Sequence, residues 1–161
     1  MVRISRYQLL SMVVILMALI ALVMGTVFVV QGVTKANWMK DSMRLENITL
    51  GLDETAVAKG EVVDSASEAQ AAADMIREHR RGIAPTYDDL LAGGSFDPAN
   101  PQHLSYAQAL NMENYLYLGV LGFGVTTVII GTGTFMIIMG IALSATGVVL
   151  LGLARRTSES G

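Results

Sequence analysis

The chain has no cysteine. Disulfides, thiolate metal sites, iron–sulfur clusters and cysteine nucleophiles are therefore excluded. Histidine is nearly absent too, with only His79 and His103 among 161 residues. There is no basic excess: the net charge is −3, so nucleic acid is not an expected partner. No phosphate-binding loop and no Ser/His/Asp arrangement is found. Charge itself is missing from two long stretches. Residues 9–30 and residues 116–154 hold no Asp, Glu, Lys or Arg. Ion-coupled transporters and proton pumps carry ionisable groups inside their spans, and these runs have none.

What the chain has in excess is apolar surface. Hydrophobic residues make up 52% of it, against about 45–50% in soluble domains. The excess lies at the two ends. The first run has 22 residues, too long for the core of a cleavable signal peptide, about 7–15 residues. Arg3 and Arg6 precede it and Trp38 follows it, suitable anchors at a membrane interface. These features predict an uncleaved membrane helix over residues 9–33.

The middle of the chain is acidic. Residues 34–115 carry seven Lys/Arg against thirteen Asp/Glu, a net charge of −6. "MRLENITLG" alternates in part and is expected to form a strand with "AVAKGEVV". "SASEAQAAADMIREHRRG" reads as a helix. Ser65 and Glu68 make a capping box, Ala69, Ala72, Ala73 and Ile76 share a face, and Gly82 is expected to end it. "PTYDDLLAGG" reads as one or two helical turns, and "FDPANPQ" as a rigid turn. Ser105 and Gln108 fit a second capping box, opening a helix that runs into the apolar segment. Tyr106, Tyr115 and Tyr117 cluster near its start, where Tyr115 and Tyr117 are expected at an interface.

The second apolar run has 39 residues, where one span needs about 20. It is either one long helix or two spans folded at Gly131-Thr132-Gly133. Every seventh residue is small: Gly119, Thr126, Gly133, Gly140, Gly147 and Ala154. Such a repeat keeps one helix face against a neighbour, and small residues let backbones approach closely. It passes through the supposed turn without losing phase, which favours the continuous helix, although the hairpin stays open. A helix of that length is about 58 Å long, against a hydrocarbon core of about 30 Å. The span is therefore placed at residues 132–154, ending at Arg155 and Arg156. The preceding apolar stem must then pack on its own domain, on copies of itself, or on a partner.

Candidate chemistry is sparse. His79, His103, Asp88 and Asp89 are the residues a metal site would draw on, but a packed or interfacial histidine is the simpler reading of His79. Arg77, Arg80 and Arg81 form a basic cluster, read as a solvated face balancing Asp74 and Glu78. No catalytic residue and no cofactor is assigned.

The most distinctive pieces are residues 76–81, 84–91, 96–101 and 113–121, within "EVVDSASEAQ" through "YLYLGVLGFGV". This stretch, residues 61–125, resembles small bacterial membrane proteins of actinobacterial and Chloroflexi-like type. Such proteins have two terminal membrane segments and a small acidic domain between them. The resemblance implies a bacterial origin and that layout. The ring-opening dioxygenase activity sometimes attached to such proteins is not carried over, because the domain is small for an enclosed aromatic pocket.

The expected fold is a mostly α membrane protein. Residues 1–8 form a cytoplasmic tail and 9–33 a membrane helix. Residues 34–104 form a small, mainly helical extracytoplasmic domain, and 105–131 an apolar stem. Residues 132–154 form the second, glycine-rich membrane helix, and 155–161 a cytoplasmic tail. The tails carry the arginines that belong inside. The expected role is a non-enzymatic accessory subunit of the bacterial cytoplasmic membrane, in contact with lipid, forming a homo-oligomer or joining a larger complex. The alternatives are an extracytoplasmic binding or sensing module and a small oligomeric pore.

Overall fold

A computed structural model describes residues 6–159 and the side chains of residues 6–156; Arg3 lies outside the described residues. The chain is mostly helical, and no strand occurs among the described residues. The elements are α1 (Arg6–Leu45), α2 (Glu54–Ala58), α3 (Ala66–Ile83), α4 (Tyr87–Leu91) and α5 (Pro101–Glu159). Both α1 and α5 are long and apolar enough to cross a membrane. Their most apolar windows are largely exposed, unlike the core helix of a soluble protein.

α5 runs unbroken through Gly131-Thr132-Gly133. A turn there would strip backbone N–H and C=O groups of partners in apolar surroundings, whereas the helix pairs them internally.

Contacts divide the chain into two compact units. The first comprises residues 1–34 and 126–161. In it α1 and α5 lie antiparallel and touch along small residues. The buried positions of α1 are Ser11, Ala18, Gly25 and Gly32, each seven from the next. Those of α5 in this unit are Thr126, Gly133, Gly140, Gly147 and Ala154. The Ser11 hydroxyl donates to the Gly147 carbonyl at 2.9 Å. A Cβ on Gly133 would lie 2.7 Å from the Gly25 carbonyl oxygen, and one on Gly140 3.1 Å from that of Ala18. Where Gly25 meets Gly133 the backbones are too close for a residue with a Cβ. Thr26, Thr134, Ser144 and Thr146 are satisfied within their own helices, each donating to the carbonyl four residues back.

The second unit comprises residues 35–125. Its core is Val63, Ala69, Ala72, Ala73, Ile76 and Leu116, edged by Met43, Ile48, Leu52, Ala109, Tyr117 and Val120. The alanine face of α3 permits close packing. Gly51, at φ +83°, would place a Cβ 2.9 Å from the Ala72 nitrogen. Leu116, Tyr117 and Val120 pack on this core, and the Met39 and Met43 side chains lie against Gly122 and Gly119. Part of the apolar stem is thus covered by its own domain.

Several element boundaries differ from those expected. The strand is absent. α1 continues to Leu45, and "ETAVA" is α2, because the Asp53 carboxylate accepts from the Ala56 N–H at 2.8 Å and caps a helix there. One backbone bond, Val63 N–H to the Ile48 carbonyl at 2.8 Å, is what joins the two segments. α3 begins as expected, with the Ser65 hydroxyl accepting from the Glu68 N–H at 3.3 Å. It ends at Ile83 rather than at Gly82, because Pro85 forces Ala84 into extended backbone. α5 starts four residues before Ser105. Pro101 takes the first helical position, and the Asn100 carbonyl and side-chain oxygens accept from Leu104 and Gln102. An earlier cap thus supersedes the predicted capping box.

Candidate functional site

The strongest polar cluster lies in the second unit, and it is not the one expected. Arg80, not His79, is the buried polar residue of α3. Arg80 Nε donates to the Glu113 carboxylate at 2.7 Å, and its Nη1 donates to the Tyr106 hydroxyl at 2.5 Å. The guanidinium carbon lies 4.9 Å from the Tyr106 ring centroid, and the Tyr87 ring lies 6.2 Å from that ring, tilted by 45°. The hydrogen bond to Glu113 raises the Arg80 pKa further, despite burial. A guanidinium held so firmly charged is neither a base nor a nucleophile, so the triad acts as a lock between α3 and α5.

A second link lies one turn on along α5 and nearly two turns back along α3. The Tyr117 hydroxyl donates to Asp74 Oδ1 at 2.7 Å, and Arg77 donates to the same atom at 2.6 Å. Gln70 donates to Oδ2 at 3.0 Å. The bonds from Gln70 and Tyr117 hold the Asp74 carboxyl below its ordinary pKa. At the end of α1, Lys40 and Arg44 both pair with Asp64, at 3.3 and 2.6 Å.

His79, His103, Asp88 and Asp89 do not come together. No group of three or more His, Asp or Glu side chains arranged for a metal occurs among the described residues. His79 is exposed beside Gly82, Pro101 and Ser105. His103 Nδ1 accepts from the Asp97 N–H at 3.0 Å, and its ring stacks on Phe96. Asp89 is engaged by the Thr86 hydroxyl at 2.7 Å, in the cap of α4.

The interface residues separate as well. Trp38 is 64% exposed, with the Lys35 ammonium over its ring, and Tyr115 is 67% exposed. Arg6 opens α1, and Arg155 and Arg156 lie in the last turns of α5. Tyr117 is half-buried, with its hydroxyl bonded to Asp74. Of the seven-residue repeat, Thr126, Gly133, Gly140, Gly147 and Ala154 are buried, and the glycines among them meet α1. Gly119 meets the Met43 side chain. The face the sequence reserved for a neighbour is occupied by the chain's own first helix.

The second unit also carries open grooves, of which one is largely apolar. A groove of about 690 Å³ is lined by Met43, Glu46, Ile48, Gln108, Asn111, Met112, Tyr115 and Leu116. Its floor is Leu116 of the core with Met43 and Ile48 at the core's edge. No family model, curated protein or solved structure matches the chain.

Proposed function

We propose that the chain is a non-enzymatic membrane protein, a two-span helical hairpin that carries a small acidic domain outside the cytoplasm. It serves as an accessory subunit, joined to copies of itself or to a larger membrane complex. One observation carries this reading. α1 and α5 bury only one narrow seam against each other, and their other faces present Leu, Ile, Val, Met and Phe outward. Water does not tolerate apolar surface on that scale, whereas lipid does. Because α1 and α5 are antiparallel in this unit, two spans return the chain to the side it started from. Arg6, Arg155 and Arg156 would then face the cytoplasm. Gly133, Gly140 and Gly147 are already in contact with α1, so a partner would meet the other faces of α5.

Topology tests the reading directly. The chain lacks cysteine, so single cysteines at Ser95 and Ser158 give a clean background. In intact cells an impermeant maleimide is expected to label Ser95→Cys and not Ser158→Cys. Labelling of Ser158→Cys alone would reverse the orientation, place the domain in the cytoplasm, and end the proposal as stated.

A further inference from the structure

We propose that the groove beside Tyr115 holds an amine-headed phospholipid of the phosphatidylethanolamine class, with one acyl chain on its apolar floor and the ammonium at Glu46. The inference rests on the membrane reading above and gives the domain a ligand. The groove combines apolar lining residues with three polar side chains, Glu46, Gln108 and Asn111, the usual make-up of a small-molecule site, and its volume of about 690 Å³ falls within the common range of about 300–1,000 Å³. Met43 and Met112 line it; unbranched thioethers adapt to a flexible chain.

The headgroup assignment follows from charge. Glu46 is the sole charged residue of the lining, and its carboxylate has no ion pair or hydrogen bond among the described residues. Gln108 and Asn111 are likewise unpartnered side-chain amides. A carboxylate takes an ammonium, and two amides donate to phosphate oxygens. A purely anionic headgroup would meet the Glu46 charge with no cation in the lining. A second copy is disfavoured for the same reason, because a two-fold contact through this groove would set Glu46 near Glu46. A route for the chain is present: Tyr115, Leu118, Leu121 and Val125 are exposed, apolar, and three or four residues apart on α5.

The test uses the full chain in phosphatidylcholine nanodiscs with a minor fraction of phosphatidylethanolamine bearing a mid-chain diazirine. After irradiation, crosslinks are expected at Met43, Ile48, Met112 or Leu116, in addition to the spans. Unlabelled phosphatidylethanolamine should compete and phosphatidylglycerol should not. Met112→Trp should abolish groove labelling while span labelling persists, which shows the protein is still inserted. Glu46→Gln should lower the preference for ethanolamine over choline roughly two- to fivefold, the scale of an exposed ion pair. Crosslinks confined to the spans would overturn the groove proposal and leave the membrane reading standing. No crosslink anywhere would overturn both. Disulfide formation between copies of Met112→Cys, with groove labelling lost, would assign the groove to a second copy instead.

Discussion

Arg80 and Glu113 are each about nine-tenths buried at the side chain, so removing one strands the other. Glu113→Ala is expected to destabilise the second unit by about 3–5 kcal/mol. The paired change Arg80→Met with Glu113→Leu should recover most of that loss, because no buried charge is left unpaired. Chemical unfolding of the three variants checks this; a double variant as unstable as Glu113→Ala would contradict it. Asp74 predicts a pH effect. Its folded carboxyl sits below the ordinary value, so it contributes stability above that value, and the contribution is lost as pH falls through about 4 and below. The thermal midpoint of Asp74→Asn should therefore vary less than the parent's between about pH 5 and pH 3; parallel curves would refute it. Arg80 was partly legible, since it falls four residues after Ile76 and seven after Ala73 on the apolar face of α3. Its charge hid it among Arg77 and Arg81. Glu113 lies 33 residues away, and no local pattern names a partner at that distance.

At the level of elements, the helices with strong local signals were readable, whereas the expected strand does not form among the described residues. Ser65, Glu68 and the alanine face announce α3 by cap and period together. "MRLENITLG" offered only a short alternation, which the continuation of α1 and the Asp53 cap overrode. The repeat on α5 was visible because glycine is conspicuous every seventh residue. The matching repeat on α1, Ser11, Ala18, Gly25 and Gly32, was open to the same reading, but it lies inside a run that a membrane span already explained. The pairing makes a sharp prediction. Gly133→Leu places a side chain against the Gly25 backbone, while Gly131 and Gly152 have nothing near them. Gly133→Leu should cost at least about 1–3 kcal/mol. Gly131→Ala and Gly152→Ala should be neutral or slightly stabilising, by about 0.4–1 kcal/mol. Unfolding in mixed micelles separates them, and equal effects at Gly133 and Gly131 would remove the seam as the contact that matters.

For the molecule as a whole, apolar length was legible and sidedness was not. Two uncharged runs announce spans from composition alone, whereas orientation hangs on four arginines near the termini. The two units predict separable responses. Gly133→Leu should raise amide hydrogen exchange along residues 9–33 and 126–154 while residues 69–76 stay protected, and Glu113→Ala should do the reverse; loss of protection everywhere in either variant would show one cooperative body. The seam also acts as a ruler. Ser11 meets Gly147 as Gly25 meets Gly133, so each step along one helix is counted off on the other. A single residue inserted between Gly25 and Gly32 would turn the rest of α1 by about 100° and bring Gln31 to where Gly32 stood. Length in this hairpin can therefore change only by whole sevens, and only in both helices at once.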